Sequence, residues 1–130
     1  MEIQAAILRE AGGQFAIETA TLDAPKTGEV LVKVVAAGVC HTDIGVQHIM
    51  PMPVVLGHEG SGIVEEVGPG VTKVAPGDPV VMTFGSCGRC PSCVEGAPSH
   101  CHDMRTLQFS GARFDGSPTM SQQGEKVNAA

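Results

Sequence analysis

Apolar residues along this chain recur in short runs separated by glycine and proline, a pattern typical of β-strands joined by turns. Residues 3–9 and 15–21 predict two strands joined through a glycine turn at 11–13. The longest run, residues 29–39, is rich in valine and predicts a central strand, because β-branched side chains pack well on a pleated sheet. The pattern therefore predicts a mainly β fold with short helices.

Two further strands are predicted at residues 60–68 and 80–84, with Pro-Gly turns between them. A short helix is expected to follow Cys40, where either Thr42 or Asp43 is suited to cap its first turn. Side-chain oxygens at such a position accept hydrogen bonds from unpaired backbone amides. Cys40 is thus expected where a strand ends.

A chain of 130 residues has the size of one domain. We expect residues 1–117 to form this domain and residues 118–130 to be a loosely ordered tail, because the apolar pattern fades there. Tryptophan and tyrosine are absent and only four phenylalanines occur, so the core must be mainly aliphatic.

Charge excludes some classes of partner. The net charge is −6, and the eight lysines and arginines are scattered singly along the chain. No basic stripe is available for a nucleic-acid backbone or an anionic lipid surface. A signal peptide and an apolar run of about 18 residues are also absent. We therefore expect a cytoplasmic protein with neither nucleic acid nor membrane as a partner.

Four of the five cysteines form one motif with the spacing C-x2-C-x2-C-x7-C. Such gaps can wrap thiolates around one tetrahedral zinc ion at about 2.3 Å per sulfur. Disulfides, an iron–sulfur cluster and unrelated thiols are the alternatives. The odd cysteine count disfavours disulfides, and a final gap of seven residues disfavours an iron–sulfur cluster. We predict a structural zinc lobe at about residues 85–105, with these ligands: Cys87, Cys90, Cys93 and Cys101.

A second candidate cluster combines Cys40 with the pair His58 and Glu59. One thiolate, one imidazole and one carboxylate would leave a coordination position open, which distinguishes catalytic from structural zinc. The spacing by itself is weak evidence. A lone cysteine is most often a small buried hydrophobe, and a lone histidine is most often an ordinary hydrogen-bonded residue.

The order of these motifs resembles the N-terminal, GroES-like part of zinc-dependent medium-chain alcohol dehydrogenases. The resemblance covers about residues 1–117, and residues 109–117 are most similar to the aryl (benzyl) alcohol dehydrogenase branch. It implies a partly open GroES-like β-barrel with a protruding zinc-binding loop, in a truncated chain. The segments that carry it are 38–43, 56–64, 76–78 and 87–93.

The resemblance also implies roles for the second cluster. Cys40 and His58 match two ligands of the catalytic zinc, and Glu59 matches a carboxylate that can approach the metal. Asp43 matches the carboxylate that orients the ligating imidazole, and Thr42 matches the hydroxyl that contacts the substrate and relays its proton.

His41 matches a residue that touches the pyrophosphate of the cofactor, and the four-cysteine motif matches the structural zinc ligands. The implied reaction oxidises primary alcohols, aryl alcohols among them, to aldehydes by hydride transfer to NAD. Zinc and NAD are the implied cofactors, and a small-molecule alcohol or aldehyde is the implied substrate. A homo-oligomer is expected.

Several departures from the family pattern suggest that this chain is a portion of such an enzyme and is inactive alone. The remaining catalytic ligand of the family lies well beyond residue 101, and no G-x-G-x-x-G motif of a Rossmann domain occurs. Gly45 stands where many members carry a relay histidine, and the segment between Cys40 and His58 is shorter than usual. His48 is either a replacement ligand or relay, or an ordinary solvent-facing residue.

Two other functions stay open. A freestanding scaffold or binding module would use only the four-cysteine lobe for metal. A metal-free quinone-reductase relative would share the fold, although the cysteines argue against it.

Overall fold

The structure, a computed structural model, describes residues 1–129. The prediction of a mainly β chain with short helices is confirmed. No helix in this part of the chain is long and apolar enough to cross a membrane. The strands are β1 (Glu2–Leu8), β2 (Ala16–Leu22), β3 (Val30–Gly38), β4 (Val54–Val55), β5 (Glu59–Val67), β6 (Pro79–Val81), β7 (Met120–Gln122) and β8 (Glu125–Ala129). The helices are α1 (His41–Val46), α2 (Pro91–Val94), a 3-10 helix (Pro98–His100) and α3 (Met104–Phe109).

Five strands close into a small barrel in the order β1-β2-β7-β8-β4. Neighbours run antiparallel except for β4 and β8, which are parallel. Ile7 and Val127 are almost fully buried at its centre, together with Ala5, Ala20 and Met120. A second cluster of Leu8, Met50 and Val54 packs beside it. The barrel thus has its own aliphatic core, as the composition requires.

The other three strands form a separate sheet in the order β3-β5-β6. The prediction that residues 29–39 form a central strand is wrong, because within residues 1–129 strand β3 pairs only with β5. Val35 of this strand is 73% exposed, and Val81 of β6 is 78% exposed. A valine-rich run indicates a strand with apolar neighbours, but it does not reveal whether one or both edges are paired.

The expected loose tail is also wrong for residues 120–129, which form β7 and β8. Gln123 and Gly124 join them as a two-residue turn with φ values of 51° and 84°. Such a turn twists in the same sense as the strands it joins and so favours a hairpin. Met120 and Val127 point into the barrel core, which fixes the hairpin against β2 and β4. Residue 130 lies outside the described residues.

Arg113 ties three distant segments together beside the two sheets. Its guanidinium is 10% exposed and donates to Glu29 at 2.6 Å and to Asp23 at 2.9 Å. The Pro118 carbonyl accepts another hydrogen bond from Arg113. The hydrogen bond from Arg113 holds the pKa of Glu29 below its usual value. Charge-assisted bonds of this kind are stronger than neutral ones, so the network fastens β3 to the segment that precedes β7.

Replacing Glu29 with glutamine should lower the free energy of unfolding by about 1 kcal/mol at pH 7. Because the folded-state pKa of Glu29 is lowered, its contribution is present above the unfolded-state pKa and is lost as the pH falls through the folded value. Urea unfolding of both proteins at pH 7 and in acid measures the difference. Glu66→Gln, at an exposed position of β5, is the control. A difference that persists unchanged in acid would contradict this electrostatic account.

The exposed valines and open strand edges of the β3-β5-β6 sheet should make the 130-residue chain self-associate. We expect light scattering to give a mass above that of one chain, and Val35→Lys to lower it. Ile17→Lys is the matched control, because Ile17 is 71% exposed on a strand of the closed barrel, outside the β3-β5-β6 sheet. A wild-type monomer, or an equal effect of both substitutions, would show that this sheet is not the contact.

Candidate metal centres and ligand pocket

Antiparallel pairing of β3 with β5 brings the first candidate cluster together. Gly38, the last residue of β3, lies opposite Glu59, the first residue of β5. Cys40 follows one end and His58 precedes the other, so two residues 18 positions apart meet at one end of the sheet. The Cys40 Sγ atom lies 3.2 Å from His58 Nε2. The structure thus places a thiol and an imidazole side by side, as the sequence predicts.

Cys40 also begins helix α1. Its backbone is extended, its Sγ accepts a hydrogen bond from the Thr42 amide, and its own amide donates to Asp43 Oδ2 at 2.8 Å. This reciprocal pair is a capping box in which cysteine takes the place of serine or threonine. Thr42 or Asp43 was expected to cap this helix. Cys40 is the cap instead, and the Asp43 side chain in the first turn accepts a hydrogen bond from the Cys40 amide.

Asp43 faces His58 with its other oxygen. The Oδ1 atom lies 3.4 Å from His58 Nδ1, and the Asp43 side chain is only 6% exposed. This contact is long for a hydrogen bond, and Oδ1 has no regular hydrogen-bond partner within residues 1–129. A buried carboxylate oxygen beside Nδ1 favours the tautomer with the proton on Nδ1. Nε2 then has its lone pair free on the side of Cys40.

The donor set at this cluster fits a zinc ion. Atoms of Cys40, Asp43 and His58 all lie within 4.8 Å of one another. Two zinc ligands at about 2.3 Å for sulfur and 2.0 Å for nitrogen stand roughly 3.6 Å apart in tetrahedral geometry. The observed separation of 3.2 Å between Sγ and Nε2 is close to that value. Thiolate and imidazole would therefore be the metal-binding groups, and Asp43 would orient the ring.

The other predicted residues lie around this cluster with differing exposure. Thr42 lies beside it at the start of α1. His41 is exposed at the first position of the same helix. Glu59 is exposed, packs against Gly38, and is outside the three-residue group. His48 is exposed and belongs to neither metal-binding group found within residues 1–129.

A cavity of about 130 Å³ opens beside the cluster. Thr42, Asp43 and His58 line it, and its surface is largely apolar. The Phe84 ring stacks on the His58 imidazole with centroids 5.1 Å apart and an angle of 21° between the planes. The remaining wall residues are Val46, Leu56, Met104, Gln108 and Phe109. The arrangement suits a small apolar ligand with one polar group directed at His58, which lies beside Cys40.

The sequence analysis missed the part of this cavity that α3 contributes. Residues 104–109 were not predicted to be helical, and Phe84 was assigned only to a strand. The spacing of Met104 and Gln108, four residues apart, places both on one helix face. This spacing can be read from the sequence, but nothing in the sequence showed which other part of the protein this helix face would contact.

The four cysteines of the lobe converge as predicted. Their sulfur atoms all lie within 4.8 Å of one another. Cys87 Sγ and Cys93 Sγ are 4.0 Å apart, far beyond the disulfide bond length of about 2.05 Å, and all five cysteines are free. Two thiolates on one tetrahedral zinc stand roughly 3.8 Å apart. The geometry thus fits a four-thiolate zinc site and excludes the disulfide alternative.

Backbone amides surround the sulfurs of this lobe. The Cys87 amide donates to Cys101 Sγ and the Cys90 amide donates to Cys87 Sγ, both at 3.3 Å. The His102 amide is the main cause of a lowered pKa for the Cys90 thiol, about 6. Burial raises the pKa of the Cys93 thiol to about 12. Metal binding at this lobe must therefore displace a proton from Cys93, so metal affinity should rise with pH.

Known proteins are similar to this chain in sequence and in fold. The family described as the alcohol dehydrogenase GroES-like domain matches residues 26–125. Geraniol dehydrogenase from Castellaniella defragrans is 46% identical in an alignment of 129 positions that covers 97% of this chain and 35% of that relative.

Two solved structures agree with this result. The alcohol dehydrogenase zinc-binding domain protein from Burkholderia ambifaria is 46% identical, with a TM-score of 0.96 over 99% of this chain and 36% of that one. Benzyl alcohol dehydrogenase from Acinetobacter calcoaceticus is 42% identical, with a TM-score of 0.92 over 99% of this chain and 35% of that one.

The chain thus spans about a third of the length of these relatives. The resemblance drawn from the motif order is confirmed, and so is the GroES-like fold. With a profile match over residues 26–125 and two structures superposing on nearly the whole chain, this protein belongs to the alcohol dehydrogenase GroES-like domain family.

Proposed function

We propose that this chain is the N-terminal catalytic-domain portion of a zinc-dependent alcohol dehydrogenase that oxidises primary alcohols, aryl alcohols among them, to aldehydes with NAD. One observation carries the proposal: Cys40 Sγ lies 3.2 Å from Nε2 of His58, and His58 lines a largely apolar cavity. Family membership supports it, since the relatives with this domain include geraniol and benzyl alcohol dehydrogenases.

In this proposal, Cys40 and His58 would hold a catalytic zinc, which would supply Lewis-acid chemistry for the alcohol oxygen. Asp43 keeps the His58 ring oriented through Nδ1. Thr42 lines the cavity, and its hydroxyl would bind the substrate hydroxyl and relay its proton, accepting that proton while releasing its own to solvent. These residues bind and orient the alcohol, and Phe84 shields His58 from one side.

Two further residues keep the roles that the family pattern suggests. His41, exposed at the start of α1, would contact the pyrophosphate of NAD. Glu59, exposed at the start of β5, would approach the metal only after its side chain moves. The lobe would hold a second, structural zinc through Cys87, Cys90, Cys93 and Cys101.

The apolar walls of the cavity suit an aromatic substrate. Its volume of about 130 Å³ is slightly smaller than the apolar protein cavity of about 150 Å³ that holds a benzene molecule, so an aromatic ring would fill it. A benzyl alcohol would place its ring between the apolar walls and its hydroxyl at Thr42 and His58. Longer primary alcohols would have to extend through the open side of the cavity.

The present stretch lacks a Gly-rich dinucleotide-binding motif, so NAD would be held by another part of the enzyme. We expect residues 1–130 alone, loaded with zinc and given benzyl alcohol and NAD, to form no NADH above the rate without protein. Absorbance of the reduced nicotinamide measures this. Turnover by this stretch would contradict the proposed division of roles.

Metal analysis tests the two sites separately. Protein purified without chelator should contain zinc in the lobe, and added zinc should fill a second, weaker site. Cys90→Ser should remove the lobe zinc and lower the thermal midpoint, because structural zinc binding contributes on the order of 10 kcal/mol in small zinc domains. Ser99→Ala, between two lobe cysteines, is the control.

His58→Ala should weaken zinc binding at the second site by at least about tenfold, since it removes one of two ligands. His48→Ala is the matched control, because His48 is an exposed histidine outside both groups. One zinc per chain that is insensitive to His58→Ala would instead favour the scaffold module. Protein without any zinc would count against both functions.

A further inference from the structure

The segment that carries Phe84 is held to the rest of the protein by few hydrogen bonds. Residues 83–86 join β6 to the cysteine lobe, and no backbone–backbone hydrogen bond fixes them within residues 1–129. One side chain from another element reaches them by a hydrogen bond: Gln108 Nε2 of α3 donates to the Gly85 carbonyl at 3.2 Å. Gln108 is half-buried and also lines the cavity.

This hydrogen bond joins the two ends of the cysteine lobe. Gly85 lies two residues before Cys87, and α3 begins three residues after Cys101. The Met104 amide donates to the Cys101 carbonyl at 3.1 Å, so α3 is anchored on the last cysteine. Gln108 therefore bridges the chain that enters the lobe and the chain that leaves it.

The same bridge determines where Phe84 lies. Phe84 adjoins Gly85, and its ring stacks on His58 at 5.1 Å. His58 in turn lies 3.2 Å from Cys40 Sγ. A displacement of residues 83–86 would remove the ring from His58 and widen the cavity between Phe84 and α3.

We propose that Gln108 is a positioning residue that couples the cysteine lobe to the ligand site: by holding the Gly85 carbonyl it keeps Phe84 stacked on His58 and fixes the width of the cavity. The inference rests on the proposed function in that the cavity takes an aryl alcohol. The effect on His58 is independent of that substrate. Gln108 acts through Phe84 and needs no contact with the reacting atoms.

The test uses the zinc-loaded 130-residue protein with isotope labelling. The proton shifts of the His58 ring report the stacked Phe84 ring, and a titration with benzyl alcohol gives its Kd. Gln108→Met keeps the length and bulk of the side chain but removes the donor. We expect the His58 ring shifts to move toward those of an unstacked histidine, and benzyl alcohol to bind about three- to tenfold more weakly.

Arg105→Met is the matched control, because it introduces the same side chain at an exposed position of α3 outside this cavity. It should leave both measurements unchanged. If Gln108→Met does not fold, Gln108→Glu serves, since its carboxylate keeps the shape but repels the Gly85 carbonyl.

Unchanged His58 shifts in a folded Gln108 variant would overturn the proposal, as would equal changes in the Arg105 control. If both Gln108 variants fail to fold, the residue is needed for stability and the positioning role is rejected. Wild-type protein that binds no benzyl alcohol would count against the proposed substrate. The His58 shifts would still decide the role of Gln108.

Discussion

The pairing of β3 with β5 is the constraint on which the candidate site depends. Its register sets Gly38 opposite Glu59, which delivers Cys40 and His58 to the same end of the sheet. A slip of one residue would turn every side chain of a strand to the opposite face and separate the two groups. Gly62 helps to fix the register: a Cβ there would lie 2.2 Å from the Lys33 carbonyl oxygen, so only glycine permits this close approach.

The barrel and the ligand cavity belong to different parts of the fold. The barrel closes on itself around Ile7 and Val127, and it packs without help from the β3-β5-β6 sheet. The ligand cavity instead lies between the end of that sheet and α3, the helix that follows the cysteine lobe. The cysteine lobe therefore affects more than its own loop, because helix α3, which follows the lobe, forms one wall of the cavity. The shape of the cavity follows from how the lobe is attached.

Sequence reasoning succeeded where the chemistry is local and failed where it depends on distant partners. Short gaps bring Cys87, Cys90 and Cys93 together whatever the rest of the chain does, so the lobe was predictable. The hairpin at residues 120–129 was missed because its strands are short and weakly apolar, and its order comes from the barrel core. Strand β3 was predicted as a strand, yet its valines do not reveal that one edge stays unpaired within residues 1–129.

The sequence by itself determined the metal-binding residue types, the four-cysteine spacing, the family and the mainly β class, because these depend on residue identity and on neighbours along the chain. The family resemblance pointed to Asp43 as the partner of His58, and the tertiary structure added that Asp43 faces the Nδ1 atom. The tertiary structure alone decided that Phe84 stacks on the imidazole and that Gln108 holds Gly85. These contacts join segments 15 to 26 residues apart, counted from the residue numbers. Strand register and helix packing set such distances, and neither is written in the local pattern.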